Sequence, residues 1–221
     1  MHPSRLFAVL ALLVAAAAIA PSPVLAQDSL RFAVLKGADT VAVEVARRVD
    51  VTWKGTLTLR RTPAVDMAWS AVTDEKGLTP LVEVTVTEAP TELRMKPRIV
   101  TRNRLIMRGD SVSVDALTGN GLVTRIFPMA AGAMPYLNLS FAMLDLAVFR
   151  ALGQATGAAP VAVPFFNLNG GQTATGTLVR KDGGHAALTL GDVTIELGLR
   201  EDGRILRATI PSQDLVAVRV Q

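Results

Sequence analysis

The sequence predicts a mainly β protein, a curved antiparallel sheet or open barrel wrapped around one central α-helix. Three observations carry that expectation. Residues 161–220 divide at short turns into stretches of alternating apolar and polar residues, the pattern of a β-meander. The same alternation, rich in Val and Thr, runs through 30–127. Between them, 137–152 alone changes to helical spacing, with Leu137, Phe141, Leu144, Val148 and Leu152 on one face and further apolar residues around most of the rest. A helix apolar nearly all round must be enclosed, and only sheet is available to enclose it.

The first residues read as a targeting segment. Arg5 precedes an apolar run over 6–20; Pro21, Ser22 and Pro23 break the run, and Val24-Leu25-Ala26 offers a signal-peptidase site. The run is shorter than the roughly 20 apolar residues of a bilayer-spanning helix. Residues 1–26 are therefore expected to be a signal peptide cleaved after Ala26, and the protein to be periplasmic or secreted. The remainder, 27–221, reads as a single β-rich domain, with no linker and no further stretch apolar enough to span a membrane. The chain has no cysteine, so neither a disulfide framework nor a lipidated cysteine is available. The formal charge of +4 includes Arg5, so the mature chain carries +3, a mild excess that tolerates anionic surfaces.

Taken in order, 30–35 is a short apolar strand and 36–39 a turn. In 40–49, Val41, Val43 and Val45 alternate with Ala42, Glu44, Ala46 and Arg48, the period of a half-buried strand. Strands follow at 52–60, 65–72 and 81–87. From 92 to 108 the pattern is basic: Arg94, Lys96, Arg98, Arg102, Arg104 and Arg108 share one parity, and Leu93, Met95, Ile99, Leu105 and Met107 share the other. Extended, this gives one cationic and one apolar face, with an edge or bend at Pro97. Arg108-Gly109-Asp110 and Gly119-Asn120-Gly121 are turns flanking 111–116, and 122–127 is a further strand. A loop of small residues between Pro128 and Pro135 leads to the helix, capped by Asn138 or Ser140 and ended at Gly153. The meander then runs through 161–166, 173–180, 185–190, 193–200, 204–210 and 215–220.

Few residues offer catalytic chemistry. His185 is the one histidine after Ala26, so neither a metal site nor a bound cofactor is expected. No serine sits in Gly-x-Ser-x-Gly, and Asn169-Gly170-Gly171 lacks the lysine of a phosphate loop. Carboxylates are scattered; Asp145, on the enclosed helix, needs an arginine partner, a gap in the sheet or a polar contact within a ligand cavity. The six cations from Arg94 to Arg108 form the candidate anion-binding face, suited to lipid phosphate or another envelope polyanion. Nucleic acid is not expected, since that face lacks interleaved aromatics and the chain is exported.

The order of elements from Leu30 to Val220 (sheet, helix, sheet) resembles the periplasmic lipoprotein-carrier superfamily of half-barrel proteins and the exported β-sheet families grouped near it. The resemblance implies a concave face that holds acyl chains, lined here by Val82, Val84, Ile195 and Leu197 with Phe141 and Phe149 from the helix. The function it implies is non-enzymatic binding of a hydrophobic or lipid-like ligand, or of a lipid-anchored envelope component. Two alternatives stand beside it. One is an envelope structural or interaction module that uses the basic face. The other is a hydrolase acting through paired carboxylates.

Overall fold

The computed structural model describes residues 29–155, 157 and 159–220. The expected signal peptide, 1–26, lies outside them. The first half of the chain forms β1 (Ser29–Lys36), β2 (Asp39–Val49), β3 (Thr52–Leu59), β4 (Val65–Val72), β5 (Leu81–Glu88), β6 (Arg98–Arg108), β7 (Ser111–Thr118) and β8 (Gly121–Pro128). A short β9 (Met134–Tyr136) leads into α1 (Phe141–Gln154). The second half is β10 (Val161–Asn167), β11 (Gln172–Lys181), β12 (His185–Leu190), β13 (Val193–Leu199), β14 (Ile205–Ile210) and β15 (Leu215–Arg219).

All fifteen strands belong to one sheet in the order β8-β7-β6-β5-β4-β3-β2-β1-β15-β14-β13-β12-β11-β10-β9. Each half is a meander of near neighbours, because short turns join antiparallel strands. The halves meet where β1 pairs with β15, Phe32 opposite Arg219 and Lys36 opposite Leu215. Only β9 and β10 run parallel. The sheet curls far enough for Phe127 of β8 to meet Phe166 of β10, ring centres 6.2 Å apart, but it does not close.

The helix occupies the concave side. Every residue from Phe141 to Val148 is buried, and α1 contacts β1, β2, β9, β10 and β11. Phe141 packs on Phe32 of β1, ring centres 6.2 Å apart. Burying each large apolar side chain of α1 contributes about 1.5–3 kcal/mol, and this fixes the helix more firmly than its own propensity would.

The helix differs from the predicted one at both ends. It starts at Phe141, not 137, because Leu139 adopts φ 64° and turns the chain before Ser140 caps the first turn by accepting from Met143 N. Gly153 lies inside the last turn, and Ala155 is the extended C-terminal cap. The loop expected between Pro128 and Pro135 hides β9, too short and too rich in small residues to show period two.

The basic stretch is also rearranged. Arg94 and Lys96 precede β6 in the connection from β5. There Thr91 and Arg94 exchange backbone hydrogen bonds of 2.8 and 3.0 Å, which makes a tight turn of Glu92 and Leu93. Within β6 the register against β5 shifts between Val86 and Thr87. Such a bulge turns side chains on its two sides to opposite faces. Leu105 and Met107 are buried, whereas Leu93, Met95 and Ile99, expected on the same apolar face, are exposed.

Candidate functional site

The inward face of β2 is the first surprise. Ala42, Glu44 and Ala46 are buried, whereas Val45 is 48% exposed. Small alanines leave room for α1 to approach, and Glu44 meets the helix where its first N–H groups lack partners. One Glu44 oxygen accepts from Trp69 Nε1 at 3.1 Å and Ser140 Oγ at 2.5 Å; the other accepts from Ala142 N at 2.8 Å. A carboxylate at a helix N-terminus is favoured by the helix dipole. Burial nevertheless dominates and raises the Glu44 pKa from 4.5 to about 7, with the Ser140, Ala142 and Trp69 donors opposing it. Gly55 makes the arrangement possible: a Cβ there would lie 2.4 Å from Trp69 Cε2, so the indole lies across β3 only because that position is bare.

A second buried carboxylate ties the middle of the helix. Asp145 accepts from Arg204 Nη1 at 2.9 Å and Ile205 N at 2.6 Å. Burial raises its pKa, opposed by the Arg204 charge, the Ile205 and Arg204 hydrogen bonds and the Arg219 charge. Of the roles expected for Asp145, an arginine pair is the one formed. Arg204 continues outward, its guanidinium 4.0 Å from the ring centre of Phe149 and 5.6 Å from that of Trp53, within the range of a cation–π contact.

Beyond Arg204 lies a cavity of about 950 Å³ at the C-terminal end of α1. Trp53, Leu146, Phe149 and Leu152 supply apolar surface, and Arg48, Arg150, Arg180, Lys181, Arg200 and Arg204 supply cations. The topology brings them together. In an antiparallel meander alternate turns fall at the same end of the sheet, and the turns after β2, β4, β11 and β13 all border this mouth. Four acids also border it, Asp74, Glu75, Glu201 and Asp202; of these, Asp74 accepts from the backbone N–H groups of Lys76 and Leu78, and Asp202 pairs with Arg200 at 3.3 Å. His185 also borders the mouth. No group of three metal-ligating side chains occurs among the described residues.

The expected lining residues fall into two sets. Val82, Val84, Phe141, Ile195 and Leu197 are buried in the core, and the void beside Phe141 and Ile195 is about 10 Å³, near the least that admits one water. The concave face is filled by the helix itself, so these five do not line a ligand cavity there. Phe149 alone of the six faces open space, at the mouth.

The six cations do not form one face. Arg102 and Arg104 point outward, since their strand neighbours Asn103 and Leu105 pair with inward Val84 and Val82. Past the bulge, Arg98 pairs with Glu88 at 2.8 Å, and Arg94 reaches the same carboxylate at 3.5 Å. Arg104 lies between Glu83, 3.9 Å away, and Asp115, its register partner on β7. Arg108 stands opposite Ser111 at a turn, and Lys96 is exposed in the β5–β6 connection. Parity along the sequence overlooks both the bulge and the acids on neighbouring strands.

The cationic rim of the mouth escaped sequence reasoning because its residues lie in turns far apart along the chain. The readable signal was the run of cations at alternate turns: Lys76, Arg180-Lys181, Arg200 and Arg204. No family model matches the chain, and no curated protein matches it. Among solved structures, the crystal structure of a DUF1089 family protein from Pseudomonas aeruginosa is similar, with a TM-score of 0.54 and 16% identity over 81% of this chain and 94% of that one. At that identity the likeness is one of fold: this curled, β-rich architecture is shared with a DUF1089 family protein.

Proposed function

We propose that the protein is a non-enzymatic binding protein of the cell envelope whose ligand is an amphipathic, lipid-like anion, seated in the mouth at the end of α1. The carrying observation is the composition of that cavity: an apolar floor of Trp53, Leu146, Phe149 and Leu152 beneath a rim of arginines and lysines. About 950 Å³ is at the upper end of the usual range for small-molecule sites. The apolar floor suits a hydrocarbon segment and the rim an anionic head group. The order of elements read from the sequence, which resembles that of half-barrel lipoprotein carriers, supports the same reading, with the site moved from the concave face to its open end. The signal-peptide pattern over 1–26 supports placement outside the cytoplasm. Four acids near the site are committed to structure, Glu44 and Asp145 to the helix and Asp74 and Asp202 to turns, and with Glu75 and Glu201 set among seven lysines and arginines at the mouth this favours anion binding over carboxylate catalysis.

The test is native mass spectrometry of the protein purified from its own host, with lipid extraction alongside and titration with an anionic single-chain amphiphile. One bound amphiphile per chain is expected, with affinity at least about tenfold lower in Phe149→Asp and in Arg180→Glu/Lys181→Glu. An unliganded mass that takes up no added amphiphile would sink the proposal.

A further inference from the structure

The end of the sheet opposite the mouth carries the most exposed apolar side chains of the described fold. Leu93 is 101% exposed and Met95 85%. Both lie between β5 and β6, where the paired hydrogen bonds of Thr91 and Arg94 set Leu93 at the apex of a tight turn. Ile99 and Val100, at the start of β6, are exposed as well. Single exposed apolar residues are ordinary on protein surfaces; four within eight positions, two of them at a projecting tip, mark a docking surface.

The charges around the tip identify the partner. Lys96, Arg98 and Arg102 are exposed along the same connection and strand. Arg60 and Arg61 are exposed on the neighbouring turn between β3 and β4, which the Ala89 N to Ala64 O hydrogen bond of 2.8 Å ties to the end of β5. Nearby acids are fewer. Glu88 is already paired with Arg94 and Arg98, and Glu92 stands beside the apex. Arg94 is itself braced by donating to Ala89 O at 2.7 Å, so the tip is presented on a fixed base. Aliphatic side chains that project from a ring of cations fit the interface of a membrane: the apolar groups enter the acyl boundary while the cations meet lipid phosphates. We propose that the β5–β6 turn docks the protein on a bilayer surface rich in anionic phospholipid, through insertion of Leu93 and Met95. The inference is independent of what the mouth binds.

The test uses variants of the full chain, so that any attraction contributed by the apolar residues 6–20 cancels. The chain has no cysteine, so Leu93→Cys and, in the β6–β7 turn at the opposite end of β6 and outside the mouth, Asp110→Cys each carry one environment-sensitive fluorophore. Vesicles are phosphatidylcholine alone or with a third of phosphatidylglycerol. The expected result is a blue shift at position 93 with the anionic vesicles only, and no shift at 110. In co-sedimentation, Leu93→Asp/Met95→Asp weakens partitioning on the order of tenfold or more, with an unchanged circular dichroism spectrum. Lys96→Glu/Arg98→Glu weakens it too, and added salt weakens the wild type. A shift at both positions, equal partitioning of the variants, or a concentration-dependent shift at 93 without vesicles (a second copy or another protein surface as partner) would each overturn it.

Discussion

Replacing Glu44 with glutamine tests how the helix is held against the sheet. Glu44 is fully buried, and its two oxygens take three donors at the N-terminus of α1. Burial raises its pKa from 4.5 to about 7. The sign follows from proton linkage. The folded state retains the proton to higher pH than the unfolded chain does. Stability from this group is therefore complete below pH 4.5 and declines as pH rises towards 7. At 1.36 kcal/mol per pH unit the decline approaches ~3 kcal/mol. Glutamine cannot titrate, but its amide nitrogen turns a donor towards one of the three donors, at a cost of about 1–3 kcal/mol. Wild type should thus exceed Glu44→Gln in stability at pH 5, and the difference should shrink or reverse at pH 8. Urea unfolding followed by tryptophan fluorescence measures this, since Trp69 donates to Glu44 and reports on the site. If the advantage of wild type instead grows from pH 5 to pH 8, the helix N-terminus and the three donors outweigh burial, and the reasoning fails.

Other outcomes follow from the same contacts. Gly55→Ala forces the Trp69 ring off β3, because the new Cβ would lie 2.4 Å from Cε2; a loss of about 1–3 kcal/mol in urea titration and an altered tryptophan emission are expected. Arg204→Ala leaves Asp145 buried without its charge partner and should cost about 3–5 kcal/mol in chemical unfolding. Adding Asp145→Asn to that variant should recover part of the loss, because the orphaned charge is gone.

The strands were readable because each shows one face to water, and period two survives wherever that is so. β13 is the clearest case: Val193, Ile195, Leu197 and Leu199 share a parity, and Ile195 and Leu197 are buried. β2 misleads by residue type, because Val45 faces outward while Ala42, Ala46 and Glu44 are buried. The inward set is chosen by the volume the helix needs, a property of the partner element that β2 alone does not encode. Asp145 was legible as an acid in need of a partner, since the helix is apolar nearly all round. Its partner Arg204, fifty-nine residues away, was not. The mouth is a product of topology, assembled from turns that share an end of the sheet only after the strands have paired. Leu93 and Met95 were misplaced for a local reason: the period-two pattern runs unbroken through a turn that ends the strand.

The open seam of the sheet raises a question of cooperativity. Fifteen strands curl until β8 approaches β10 and β11, yet no strand pairing joins them. Contact there rests on the Phe127–Phe166 pair and on Phe127 over Gly171, where a Cβ would come within 2.8 Å of the ring. One edge is blunted by length, since β9 has three residues. The other is not: β8 has eight, with Leu122 and Ile126 exposed at 66% and 75%, so little apolar burial secures it. β1 and β15, by contrast, pair on both sides and lie over the helix side of the core. Local opening should therefore begin at the seam, with β8 amides in register with β7 exchanging hydrogen well before those of β1 and β15. Gly171→Val, which crowds Phe127 and places a branched residue at φ 65°, should speed exchange in β8 and leave β1 unchanged. Equal protection across β8 and β1, with both lost together in the variant, would mean that the ring contacts close the sheet as effectively as strand pairing and that the fold opens only as a whole.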